Sequence, residues 1–452
     1  MINYSKYSSF ILPLPFIINF LLNIPKLDHI YLKDLTFALF CFTFLFYLGF
    51  EINKAFAINS ISLSIAYYLM GAFALNFILL LIYENYFSFK NFLIIYNLFV
   101  FFMIARKIQN LKTPIFLILA LFSVRLFMNN YGSSFAEYQI LNTDVTEFWL
   151  PMAKTIFDND LYFAINNNII PGYSLMINYI FSELNYLLHG DIIFFNSRVI
   201  PNTFFFLNLL LFCEVKLKLI YKVNLILIYC SILINSDWLS YLFINSYMGE
   251  VVTNYLFSVF LLNTFQNEEV QRRKLFFFFV GFLYFLKPFS SILFLIIPIY
   301  FILKNKKNSF VLLSFFGILI NFFFGFLNSD ILNTEQTSSP YLSIFIENSE
   351  KLFDFYFANI SLIFLNEIFI DKVLTLFLII YLLMKLYSFK FYAKSNLMTL
   401  TLFLNLFLVL YLYSTIWKNI ELGSAYRYIF SFINIYFIDF LYALEKSKKS
   451  SY

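Results

Sequence analysis

Long apolar runs separated by short polar joints occupy most of the chain, near 10–24, 35–50, 56–83, 91–105, 113–128, 192–213, 217–234, 249–265, 275–287, 289–303, 309–327, 368–384, 396–416 and 424–442. About 20 apolar residues are needed for a helix to cross a bilayer, so the pattern predicts an all-α polytopic membrane protein with about 14 spans. Two polar-rich segments, 129–191 and 328–367, are too long to be connectors. Within the first, Val145, Phe148, Trp149, Met152 and Ile156 recur at helical spacing over Asp144–Phe157, with Pro151 expected to kink or break that helix. A second amphipathic stretch, Gly172–Leu188, carries Leu175, Met176, Tyr179, Ile180, Leu184 and Leu187 on one face. Both are expected to lie along the membrane interface rather than cross it.

Composition agrees with that reading. Of the 452 residues, 61% are hydrophobic, 23% aromatic and only 13% charged, a balance outside the range of soluble domains. Pro13 and Pro15 interrupt the first run and no small-residue cleavage site precedes Lys26, so that run reads as a retained helix rather than a signal peptide. Cys41, Cys213 and Cys230 sit in apolar runs without close partners and suggest neither a disulfide framework nor a zinc site.

Charge gives the orientation. With a cytoplasmic N-terminus, simple alternation puts 20 of the 31 Lys and Arg in inner segments, including triplets at 106–112, 216–222, 272–274, 304–307, 385–394 and 446–449. The acidic residues sort the other way, 20 of 26 falling outside. An even number of spans with both termini inside follows. The net charge of +5 is then a matter of membrane orientation and gives no reason to expect nucleic acid. Both long segments fall on the outer face, where a site would have room.

Several residues there bear chemistry. Asp144 and Glu147 are three apart and share a helix face, although acids near a helix start, with Thr143 as a cap, are also ordinary helix chemistry. Asp158 and Asp160 offer oxygen ligands to Mg²⁺ or Mn²⁺, and the same Asp-Asn-Asp tripeptide is common in turns; a divalent metal is the one cofactor left open. Glu250 opens an apolar run at the outer surface, either orienting substrate or serving as a helix-start carboxylate. His29 and His189 suit interfacial hydrogen bonding, Trp238 and Trp417 an aromatic belt, and Trp149, close to the acidic pair, a sugar-stacking surface.

The order of these pieces resembles the GT-C class of membrane glycosyltransferases, especially the protein O-mannosyltransferase and lipid A aminoarabinose transferase group. The likeness rests on TDVTEFWLPMAKTIF (143–157), IIPGYSLMINYIF (169–181), FFNSRVIPNTFFF (194–206), Glu250 in SYMGEVVTNYLF, Lys287 and Pro288 in YFLKPFSSILF, and SAYRYIF (424–430). About four extra helices precede the acidic loop here where that class commonly has one helix before it, and its adjacent Asp-Glu pair is replaced by Asp144 and Glu147. The resemblance implies an N-terminal block of about four helices at 1–112 and a catalytic core at 113–445.

It further implies an inverting transfer of sugar from a polyprenyl-phosphate donor to a hydroxyl on a glycan, lipid or protein, at the outer face of a bacterial inner membrane. Asp144 would be the general base, with Glu147 and Glu250 as supporting carboxylates. Arg427 and Lys287 would hold the donor phosphate, with Arg198 and Arg125 as further basic candidates. Two other readings remain open on sequence: an O-antigen or capsule polymerase, which would carry arginine-rich outer loops, and a transporter or flippase of lipid-linked glycans, which would show internal repeats.

Overall fold

The computed structural model describes residues 29–83, 88–109, 112–131, 149–168, 175–188, 199–236, 249–266, 274–286, 295–303, 309–316 and 432–447, together with helical residues at 319, 376–377, 379–383, 402 and 404. Every regular element among them is helical. Helices α1 (His29–Phe56), α2 (Ile61–Tyr83), α3 (Phe89–Ile108) and α4 (Lys112–Tyr131) correspond to the runs expected at 35–50, 56–83, 91–105 and 113–128. Leu35–Phe56, Ile61–Leu80 and Phe89–Ile108 are long and apolar enough to cross a membrane, and Pro114–Leu126 is a shorter apolar helix.

The joint between α1 and α2 lies a few residues later than the hydrophobic pattern places it. Ala57 and Asn59 turn the chain in the left-handed region at φ 50° and 66°, and the Ser60 hydroxyl accepts from the Leu63 amide to start α2. At the start of α3, Ser88 Oγ accepts from the Asn91 amide, while Arg106 and Lys107 in its last turn suit the negative end of the helix dipole.

Burial distinguishes the helices. In α2 even Ser62, Ser64 and Asn76 are enclosed, whereas α3 exposes Ile95, Leu98, Phe99 and Phe102, and α4 exposes Ile115, Phe116, Leu119 and Phe122. Apolar side chains repeating every three or four residues on an outward face suit acyl chains, since in water a patch of that extent would be an association site.

The first long segment forms α5 (Leu150–Asp158), α6 (Leu161–Asn168) and α7 (Leu175–Leu188). Pro151 does not kink α5; it occupies the first turn, where its missing amide costs no hydrogen bond. The expected apolar stripe is present, with Trp149, Met152 and Ile156 buried. Helix α6 has no counterpart in the hydrophobic pattern. Helix α7 begins near the expected place but has no open polar face: Asn178, Ser182, Glu183 and Asn185 are enclosed along with its apolar residues. It packs against α5, α2 and α4. Ser182 Oγ donates to the Ala153 carbonyl at 2.7 Å, and Asn76 Nδ2 donates to the Tyr179 hydroxyl at 3.1 Å.

Beyond it come α8 (Val199–Glu214), α9 (Leu219–Asn235), α10 (Gly249–Gln266), α11 (Lys274–Phe282) with a 3-10 turn at Leu283–Phe285, α12 (Ile296–Leu303) and α13 (Ile433–Ser447). The run expected at 309–327 begins as a 3-10 helix over Ser309–Phe315. There the Ser314 hydroxyl donates to the Val311 carbonyl, a local bond that competes with α-helical pairing.

The chain divides into two compact units, one of residues 28–214 with 245–321, the other of residues 1–27, 215–244 and 322–452. In the first unit α1 packs on α8 and α2 on α10. In the second, α9 packs on α13, where Phe437 meets Tyr229 and Phe377, and the Tyr381 hydroxyl donates to Asp439 Oδ2 at 2.8 Å.

Contacts inside the first unit join helix ends that alternation puts on the same side. At one end, Glu214 accepts from the Ile61 amide at 2.6 Å, from the Ser62 amide at 3.2 Å and from the Ser60 hydroxyl at 2.9 Å, so the carboxylate at the end of α8 caps the positive end of α2. At the other end, the Phe89 amide donates to the Asn159 carbonyl at 3.0 Å, Lys90 Nζ stands 4.3 Å over the Phe157 ring, and Arg125 donates to the Tyr186 carbonyl.

Candidate functional site

One site residue expected from sequence, Trp149, packs on the helix start that carries another, Glu250. Trp149, at the entry to α5, lies with its indole edge on Gly249: a Cβ built there would meet Trp149 Cη2 at 2.5 Å, with Trp149 Cζ2 and Ile177 Cδ1 each at 2.9 Å. Only glycine admits the ring at that distance. Phe181 closes another side, its ring 6.4 Å from the indole and nearly perpendicular. Glu250 follows Gly249 directly and is fully buried in the first turn of α10, where the amide dipoles favour a carboxylate. Trp149 is 2% exposed, so its face is occupied by protein and stacking on a sugar would require that enclosure to open.

The remaining candidates divide in two. Asp144, Glu147, Lys287, Arg427, Arg198, His189, Trp238 and Trp417 lie outside the described residues. Leu286, the residue before Lys287, is buried at the end of the 3-10 turn whose Phe285 packs on Phe73 and Phe77 of α2. Asp158 is exposed, and Asp160 Oδ1 accepts from the Phe163 amide at 2.7 Å, so it caps α6. No group of three or more His, Cys, Asp and Glu converges as a metal site among the described residues. Arg125 is engaged in structure, stacked 4.8 Å from the Tyr186 ring centroid while it holds that residue's carbonyl.

One acidic residue absent from the sequence reading stands out. Glu183 is fully buried on α7, and neither carboxyl oxygen has a hydrogen-bond partner among the described residues. Its charge would be felt by Tyr68 of α2, Tyr96 of α3 and Tyr179 one turn earlier on α7. Burial without a donor pushes the Glu183 carboxyl well above the ordinary value of 4.5. Around it, the Tyr68 hydroxyl donates to Asn97 Oδ1 at 2.7 Å and the Tyr96 hydroxyl to the Tyr68 carbonyl at 2.8 Å. Asn76 and Asn97, polar residues inside apolar runs, are the signal in the sequence that this place is not plain core. Helical spacing sets Glu183 one turn from Tyr179, on the apolar face of α7, and periodicity alone does not show which neighbouring helices enclose it.

Comparison with protein-family models, with curated proteins and with solved structures finds no match to this chain.

Proposed function

We propose that the chain is a GT-C-like inverting glycosyltransferase of about 14 spans, moving a sugar from a polyprenyl-phosphate donor to an acceptor hydroxyl at the extracytoplasmic face of a bacterial inner membrane. Its termini are cytoplasmic, and residues 1–112 are an addition to a catalytic core at 113–445. The observation that carries the reading is the seating of Trp149 on Gly249, beside Glu250. Trp149 follows Glu147 by two residues and Asp144 by five, so chain reach holds their Cα atoms within about 7 and 18 Å of its own. That contact, between residues 100 apart in sequence, supports grouping the acidic motif with Glu250.

Asp144 accepts the proton of the acceptor hydroxyl as that oxygen attacks the anomeric carbon from the face opposite the phosphate. The bond from that carbon to the phosphate oxygen breaks, and polyprenyl phosphate departs with the electron pair. Arg427 and Lys287 balance the charge on the leaving phosphate, and Glu250 orients the sugar. The acceptor is a glycan, a lipid or a protein hydroxyl.

Transport of a lipid-linked glycan is a second reading, favoured by one feature, the ionisable Glu183 inside the helix packing. Proteoliposomes holding the purified chain, supplied on the outer-face side with radiolabelled polyprenyl-phosphate sugars and candidate acceptors, separate the two. Transfer requires unlabelled polyprenyl phosphate to appear in step with labelled acceptor. Movement of intact donor between leaflets without cleavage would favour transport.

A further inference from the structure

The glycosyl-transfer reading makes no use of Glu183, and a carboxyl enclosed without any donor calls for its own account. An ionised carboxylate withdrawn from water is tolerated where a cation or several N–H and O–H donors replace the lost hydration. Glu183 has neither. The charged groups on the elements packed against α7 are directed elsewhere: Arg125 of α4 holds the Tyr186 carbonyl, Lys154 and Asp158 of α5 are exposed, and Glu250 stands at the start of α10 by Trp149. Among the tyrosines of α10 and the 3-10 turn, Tyr255 donates to the Ser62 carbonyl at 3.1 Å, while Tyr284 is buried. Three tyrosines, Tyr68, Tyr96 and Tyr179, lie close enough to feel a charge on Glu183. Tyr68 and Tyr96 spend their hydroxyl protons on Asn97 and on a backbone carbonyl. Tyr179 differs: its oxygen accepts from Asn76, which leaves its own proton to donate, and one turn of helix sets it on the same face as Glu183.

We propose that Glu183 is a proton-binding site inside the helix bundle, with the Tyr179 hydroxyl as the donor that stabilises the carboxylate when the proton leaves. The ligand is the proton itself; its uptake converts carboxylate to carboxylic acid with no other reactant. A residue filling this place for packing alone would be a leucine or methionine, which carry no desolvation cost. The inference stands on the burial and the hydrogen-bond pattern and is independent of the glycosyl-transfer reading.

Infrared difference spectroscopy on the full chain in lipid tests it. At pH 7 the protein should show a carbonyl stretch of a protonated carboxylic acid that is lost in Glu183→Gln. The band should disappear on alkaline titration, and its midpoint should move upward in Tyr179→Phe, where the carboxylate has lost its donor. A buried acid with no link to Tyr179 would titrate identically in both proteins. Should Glu183→Gln fail to fold, the unaltered protein gives the answer through dicyclohexylcarbodiimide, an apolar reagent that adds to protonated carboxyls. The acid proton passes to a carbodiimide nitrogen and the carboxyl oxygen bonds to its central carbon, with nothing released. An adduct on the Glu183 peptide at pH 7 that is lost at alkaline pH is expected. Absence of a Glu183 acid band or adduct at pH 7, or a midpoint unmoved in Tyr179→Phe, overturns the proposal.

Discussion

Replacing Gly249 by alanine probes the contact that ties the first outer segment to α10. The added Cβ would stand 2.5 Å from Trp149 Cη2 and 2.9 Å from Ile177 Cδ1, both closer than carbon atoms tolerate. The indole is 2% exposed and hemmed in by Phe181, so relief requires a shift of α5 or of the start of α10. Overpacking of this kind costs about 1–3 kcal/mol. Alanine's better helix propensity returns at most about 1 kcal/mol, and less at a first helical position. For a chain of this length the net expectation is a melting temperature lower by roughly 1–3 °C, read by thermal unfolding in a fixed detergent. Trp149→Phe removes the offending ring edge, so the double variant should recover part of the loss, with a coupling of about 1 kcal/mol or more. Additive effects of the two substitutions, or a Gly249→Ala protein as stable as the parent, would show that the indole does not rest on Gly249, and the link from the acidic motif to Glu250 would go with it.

Glu214→Ala should destabilise the chain by about 1.5–3 kcal/mol, because the Ile61 and Ser62 amides at the start of α2 lose a charged acceptor; Ser60→Ala should cost about 1 kcal/mol, both read by thermal unfolding. Glu183 makes stability depend on pH in a definite direction. Its folded value is raised above the unfolded 4.5, so the folded state holds the extra proton, and the stabilisation is full below 4.5 and lost as pH rises through the folded value. Glu183→Gln, neutral at every pH, should flatten that decline; a parent whose stability rises with pH over the same range, with no change in the variant, would contradict the assignment. Cysteines placed at Ser133 and Asn348, in the two long outer segments, should react with a membrane-impermeant reagent in intact cells; protection of both until permeabilisation would invert the topology.

The helices were legible where local pattern decides them. The α1 to α4 spans and the apolar stripe of α5 follow from runs of residues such as Phe92, Leu93 and Tyr96, since no other structure satisfies the backbone of so apolar a chain. Pairings between distant residues were not legible. Nothing local says that Glu214 caps a helix starting 153 residues earlier, or that Gly249 is glycine because an indole lies on it. Glu183 was hidden for the same reason: periodicity gives a helix its faces, but whether a face meets water, lipid or three tyrosines is settled by helices elsewhere in the chain. Trp149 lies on Gly249, the residue before Glu250, a neighbour no local pattern announces, and Asp160 accepts from the Phe163 amide at the start of α6.

The central claim is that Asp144 removes a proton during sugar transfer from a lipid phosphate. Its most direct test is transfer and donor binding measured side by side on purified protein, with saturating polyprenyl-phosphate sugar and acceptor. Asp144→Asn should bind the donor as the parent does, since size and hydrogen-bonding capacity are nearly kept, yet turn over about 10²-fold more slowly. Arg427→Ala should instead weaken donor binding, because it removes a charge-assisted contact made before the chemistry. Turnover by Asp144→Asn at the parent rate under those conditions would contradict the account and pass the role of base to Glu147.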